Sequence, residues 1–238
     1  MTFASSRLIA TERLTEVLIY LNHVTACEPN PNVIATGSGH IPTVNPIVPA
    51  HVNVMKGLFF VQLYGALEKS TSHASQLLLS KIHALAPKNE HVIVQFNVVS
   101  MARKWKSIKD TGHGKAFVQM TNFFASLESP DYFGIDDTLF SSSLQNVWAK
   151  TLEDLFACLG MPNPLSTSEG ALVDELVDKR NAVAHGRETA SEIGQRYTTS
   201  DLRKRLQDVQ TLIFKLIDRL EAYFDAREFV KSSAHQFY

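Results

Sequence analysis

Arg180-Asn181-Ala182-Val183-Ala184-His185-Gly186 closes a run, Ala171 to His185, whose pattern and polar flanks predict a helix. With about 3.6 residues per turn, Asn181 and His185 fall on one face, where side chains four apart can touch. Arg180 and Ala184 form the neighbouring row, and the small Ala182 and Ala184 let another helix or a ligand come close. Gly186 is the expected stop, because glycine just past the last helical residue readily takes the left-handed conformation that closes a helix. The same pattern puts His185 in the last turn, where the helix dipole favours a protonated imidazole by a few tenths to about 1 kcal/mol.

Working outward, the rest of the chain is mostly helical in pattern. Ser6–Ala26 carries apolar residues at amphipathic spacing (Leu8, Ile9, Leu14, Val17, Leu18, Leu21), as does Val52–Leu85. Between them, the prolines and glycines of Glu28–Pro49 exclude helix and predict a connecting arm. Ser142–Leu159 reads as one helix, and Ser200–Val230 as another with a continuous stripe: Leu202, Leu206, Val209, Leu212, Leu216, Leu220 and Tyr223. Thr198, with Asp201 three residues on, is the expected cap of that last helix. Two regions stay open. Glu90–Lys109 mixes strand-like valines with a helical end, and Asp110–Asp137 has no decisive pattern. The expected division is residues 1–50, a helix and arm, and residues 51–238, a helical domain that forms one unit with the first helix.

The chain has 238 residues, enough for a sizeable core, with 23 basic against 24 acidic residues and a net charge of −1. Overall charge therefore does not drive nucleic-acid binding, and any such contact must come from a local patch. Cys27 and Cys158 lack CxxC spacing and read as free thiols of a reducing compartment. No stretch is long and apolar enough to span a bilayer, and Glu12 and Glu16 are unlike a secretory signal, so the expected location is the cytoplasm. The histidines show no paired-ligand spacing, so neither a metal nor another cofactor is expected.

A cation, an amide and an imidazole within six residues are the groups that phosphodiester cleavage uses when it proceeds without a metal. Histidine works as base or acid near neutral pH, and a guanidinium holds phosphate through two parallel hydrogen bonds. The bland alternative is that Arg180 pairs with Asp174, Glu175 or Asp178 on a solvated face while His185 merely ends the helix.

The phrase Leu-Val-x-x-Arg-Asn-x-x-x-His-Gly, here Leu176-Val177-Asp178-Lys179-Arg180-Asn181 through His185-Gly186 and followed by a long amphipathic helix, resembles the HEPN superfamily. RNases of that superfamily carry an Arg-x4-6-His motif, often with Asn after the Arg. The resemblance covers about the last 100 residues and, more faintly, the helix around Gly57–Ser80, where Val61–Glu68 is similar to an opening helix of related members. It implies an all-α, HEPN-like antiparallel helical bundle, to which this chain adds the Pro/Gly-rich arm. It also implies a metal-independent endoribonuclease of the toxin or phage-defence kind. The catalytic candidates are then Arg180, Asn181 and His185, with Asn181 expected to orient His185. Glu68 is a supporting candidate, placed to pair with Arg180 or His185.

Two basic clusters are candidates for RNA contact: Arg103, Lys104, Lys106 and Lys109 around Trp105, and Arg187, Arg196, Arg203, Lys204 and Arg205 near the motif. Family members supply the second histidine by forming a two-fold dimer, so a homodimer is expected, with the stripe of the last helix as its surface. Arg187 stands where some toxins of two-gene systems carry a modifiable Tyr, which sets that form of control aside but leaves another antitoxin or defence partner open. Two further readings stay open: a non-catalytic HEPN module that binds nucleotide or RNA or serves as a dimerising scaffold, and a helical interaction protein.

Overall fold

One long helix organises the molecule. A computed structural model describes residues 3–29, 48–110, 113–132 and 134–238, with the side chains at 103, 113 and 114 outside the description. Among these residues the α-helices are, in chain order, α1 (Ala4–Ala26), α2 (Ala50–Leu85), α3 (Asn97–Ser100), α4 (Ala102–Lys109), α5 (His113–Ser126), α6 (Ala149–Cys158), α7 (Thr167–Ala184), α8 (Ala190–Gly194) and α9 (Thr199–Asp225). No strand is present among the described residues beyond an isolated bridge between Val92 and Val230. The expected all-α class is what forms. Most of the arm, residues 30–47, lies outside the described residues.

α2 runs 36 residues, roughly 54 Å at 1.5 Å per residue. It packs against α1, α7, α8 and α9. Its buried residues, among them Phe59, Phe60, Leu63, Tyr64 and Leu67, therefore lie on more than one side. α1 completes the bundle by packing on both α2 and α9, and Leu14, Val17 and Leu21 join the same core. Thr198 and Asp201 form the expected capping box at the start of α9.

The stripe of α9 is not the dimer surface expected from sequence. Leu202, Leu206, Val209, Leu212, Leu216, Leu220 and Tyr223 are all at most 4% exposed. Burying such a row within its own bundle satisfies the hydrophobic drive that a partner would otherwise meet. The helix also ends earlier than Val230, at Asp225, where Arg227 turns the chain at φ 55°.

α8 docks on α2 through backbone. A Cβ at Gly57 would lie 1.9 Å from the Ala190 carbonyl oxygen, and one at Gly194 would lie 1.9 Å from the Asn53 carbonyl oxygen. Only glycine permits this approach, which fixes the turn after α7 to the long helix. At the other side of that junction, Lys56 is 4% exposed. Its ammonium meets Glu28 at 2.5 Å, and Glu28 also accepts a bond from Thr199 at 2.7 Å.

The predicted Ser142–Leu159 helix is broken. A single 3-10 turn (Ser143–Gln145) comes first, Asn146 leaves helical geometry at φ −141° and ψ 86°, and α6 starts only at Ala149. The two open regions carry short helices: α3 and α4 fall within Asn97–Lys109, Val92 forms the isolated bridge to Val230, and α5 takes up half of Asp110–Asp137.

Candidate active site

The site is built on α7, and its geometry begins with how that helix is closed. Ser166 and Glu169 form a reciprocal capping box, so α7 starts at Thr167, earlier than the predicted Ala171. Lys215 of α9 reaches the same carboxylate at 2.8 and 2.9 Å. Further along, Asp174 accepts the Ala149 N–H at 2.9 Å and so caps α6. Glu175 takes Arg205 at 2.9 Å and the Tyr197 hydroxyl at 2.9 Å. Burial and that bond push the Tyr197 phenol up to about 12. Asp178 takes Arg187 at 2.5 Å and Lys179 at 3.2 Å.

All three carboxylates that local spacing offers to Arg180 are therefore engaged elsewhere. Arg180 instead donates to the Asn181 side-chain oxygen at 2.7 Å, and its guanidinium carbon lies 4.8 Å from the centre of the Tyr64 ring. That distance is within cation–π range. Among the described residues Arg180 has no ion pair. A half-buried cation held in place but not neutralised is suited to receive an anion.

Tyr64 is itself fixed. It is 1% exposed, donates to the Gln145 carbonyl at 3.1 Å and accepts the Val147 N–H at 3.0 Å. These two bonds account for the break before α6, because they take up backbone groups that a continuous helix would pair internally. Burial raises the Tyr64 phenol above its ordinary range and the Glu68 carboxylate pushes the same way, while the Val147 N–H and Arg180 push back. The phenol therefore stays protonated at neutral pH.

Asn181 serves Arg180 and not His185. Its oxygen accepts from Arg180 and its amide N–H donates to the Asn146 side chain at 3.4 Å. An orienting role toward the imidazole is thus replaced by one toward the guanidinium, since both ends of the amide are already taken.

His185 is the C-cap of α7, at φ −99° and ψ 4°, one position beyond the last turn where the periodicity puts it. Its backbone N–H still reaches the Asn181 carbonyl at 3.0 Å. Gly186 follows at φ 68°, the left-handed geometry expected of it. The imidazole is exposed, and among the described residues its side chain makes no hydrogen bond.

The remaining candidates are distributed as follows. Glu68 is half-buried one helical turn beyond Tyr64, and no ion pair joins it to Arg180 or His185 among the described residues. Its charge reaches Tyr64 instead. Arg187 folds back onto Asp178 and Arg196 pairs with Glu188. Such half-exposed pairs contribute about 0–1 kcal/mol, so a phosphate can displace them cheaply. Arg203 donates to Asn22 at 3.1 Å. Lys104 and Lys106 sit on α4, whose main packing partners are α3 and α5; the side chain of Arg103 lies outside the described residues.

Two residues of the site, Tyr64 and Asn146, are not singled out by the motif. A tyrosine inside an apolar helical stripe is a usable signal, because a buried hydroxyl requires a partner. Asn146 gives less warning, as one polar residue within an apparent amphipathic helix.

Among the described residues, no cluster of three His, Cys, Asp or Glu is placed to hold a metal, and no helix is long and apolar enough to cross a membrane. No curated protein and no solved structure matches the chain. The family model described as RiboL-PSP-HEPN matches residues 38–222, a span that includes α2, α7 and the whole Arg180–His185 motif. The chain belongs to the RiboL-PSP-HEPN family.

Proposed function

We propose that this protein is a metal-independent endoribonuclease, acting as a toxin or phage-defence effector. The observation that carries the reading is Arg180: its guanidinium is oriented by Asn181 and the Tyr64 ring, while Asp174, Glu175 and Asp178 are all committed elsewhere. In the proposed reaction an imidazole removes the proton of a ribose 2′-hydroxyl. The 2′-oxygen attacks the adjacent phosphorus, and the 5′-oxygen leaves and takes up a proton. The products are a 2′,3′-cyclic phosphate and a 5′-hydroxyl. Arg180 stabilises the charge that gathers on the non-bridging oxygens, an electrostatic contribution that is often the largest in such reactions. The substrate is RNA, because only RNA carries the internal nucleophile.

Base and acid are two different groups, and each chain brings one His185. A two-fold homodimer with its motifs facing each other supplies both, and closed two-fold pairs are the commonest oligomers. The exposure of His185 suits such a pairing and leaves room for an antitoxin or other defence partner to cover it. The same exposure, with no hydrogen bond to fix the ring among the described residues, favours one alternative: a non-catalytic HEPN module that binds RNA or nucleotide or holds two chains together.

The two readings separate in one experiment. Purified protein in EDTA is given RNA, and wild type is compared with Arg180→Ala and His185→Ala while product ends are analysed. Cleavage by wild type alone, with cyclic phosphate ends, supports the nuclease. Equal background from all three folded proteins sinks it and leaves the binding module.

A further inference from the structure

The pair α4 and α5 differs from the rest of the molecule in what it exposes. Neither helix has a fully buried side chain among its described residues, and each packs chiefly on the other. Yet α5 is rich in large apolar groups. Phe117, Met120 and Phe124 recur at the spacing of one helical face, and they are 79%, 38% and 60% exposed. Trp105 of α4 is 51% exposed and lies 6.1 Å from Phe123, ring centre to ring centre, and Phe123 meets Phe124 edge-on at 5.6 Å. A run of exposed rings marks a binding surface more often than it marks a stable solvent-facing helix.

Charge says what covers it. Residues 102–126 contain five Lys or Arg and one Asp, a net charge of +4, whereas the whole chain carries −1. The remainder is therefore net −5, and the hairpin is the basic part of an acidic protein. On α4, Trp105 and Lys109 share one row, one turn apart. Between the helices lies a cavity of about 170 Å³ lined in part by Lys104, Gln119, Asn122 and Phe123. Those groups are an ammonium, two amides and a ring face. Cations that follow a phosphate backbone, interleaved with rings on which bases stack, are how proteins hold single strands.

We propose that the α4–α5 hairpin is a platform for unpaired RNA, on which successive bases stack against Trp105, Phe117 and Phe124 while the lysines of α4 and Lys115 take phosphates. This deepens the nuclease reading and rests on it only for the identity of the strand as substrate. It makes single-stranded RNA the preferred class, because stacking on a protein ring requires a base that is free of its own stack.

The test uses the full chain with His185→Ala, so that the RNA is not consumed, and with Trp148→Phe, so that Trp105 is the sole tryptophan. An unstructured oligoribonucleotide is expected to quench Trp105 fluorescence, and the same sequence as a duplex to quench it far less. Phe117→Ser and Phe124→Ser, with helical content and melting unchanged, are each expected to weaken binding roughly 5- to 150-fold, the range seen for lost base–aromatic stacks. The proposal is overturned if single strands bind with affinity that these substitutions leave intact. It is also overturned if the hairpin binds anionic vesicles but not RNA, or if the substitutions only convert an oligomer to a monomer. Cleavage assays with the His185 and Trp148 substitutions absent keep the two readings apart. Normal binding without cleavage in any variant defeats the nuclease alone, whereas Arg180-dependent cleavage that ignores Phe117 and Phe124 defeats the platform alone.

Discussion

The two ends of α7 are built for opposite purposes. At its start, the cap is closed: Ser166 and Glu169 bond reciprocally and Lys215 adds a second lock on the same carboxylate. At its end, Arg180 is held without being neutralised, and His185 stands exposed at the cap beside a left-handed glycine. A helix that were merely structural would satisfy both ends alike. The asymmetry shows where this chain leaves polar groups available, which is where chemistry is to be sought.

The comparison is broken most severely at the open end. Arg180→Ala is expected to lower the RNA cleavage rate about 100- to 1,000-fold, as loss of one stabilising donor commonly does. Its melting temperature is expected to stay close to wild type, because among the described residues the side chain has no ion pair to lose. A large fall in stability with no specific loss of rate would make Arg180 a structural residue and reverse the contrast.

Tyr64→Phe comes next in size. The ring stays beneath Arg180, but the Gln145 carbonyl and Val147 N–H lose their shared partner, at an expected cost of about 1–3 kcal/mol in urea unfolding. Tyr64→Leu also removes the ring under the guanidinium and should lower the cleavage rate further than Tyr64→Phe does. Equal rates in the two variants would mean that the ring does not position Arg180.

Ser166→Ala probes the closed end and should cost about 1 kcal/mol of stability with the cleavage rate per folded molecule unchanged. Together with Arg180→Ala it forms a double dissociation, one substitution moving stability and the other rate.

The smallest effect concerns pH. Burial alone would raise the Glu169 carboxyl, but Lys215 and Ser166 outweigh it and hold it below the ordinary glutamate range. Its folded value is lower than its unfolded one, so its contribution is complete above the unfolded value of about 4.3 and is lost as pH falls through the folded value. Glu169→Gln should therefore flatten the acid side of the stability–pH curve, measured as urea midpoints. An acid limb identical to wild type would show that the lock contributes nothing.

Much of this molecule is determined by residues close together in sequence. Thr198 and Asp201 mark the start of α9, Gly186 marks the end of α7, and Arg180, Asn181 and His185 bring themselves within a turn and a half of one another. These features were legible because helical bonds and caps link residues at most four apart, so the pattern carries its own geometry. The match to RiboL-PSP-HEPN spans residues 38–222 and includes this motif.

Tertiary structure decided the rest. The Ser142–Leu159 run looks like one amphipathic helix, yet it breaks at Asn146 because Tyr64, 83 positions before Val147, claims the Val147 N–H. Asn181 turns to Arg180 because Asn146 arrives from another element to hold its other end. Spacing alone gave Arg180 three carboxylates to choose from, and partners on α6, α9 and the turn after α7 took them all. The stripe of α9 could equally have faced a second chain, but α1 and α2 covered it. In each case a polar group or apolar face has several partners compatible with local sequence, and the choice falls to whichever element the folded bundle brings within bonding distance.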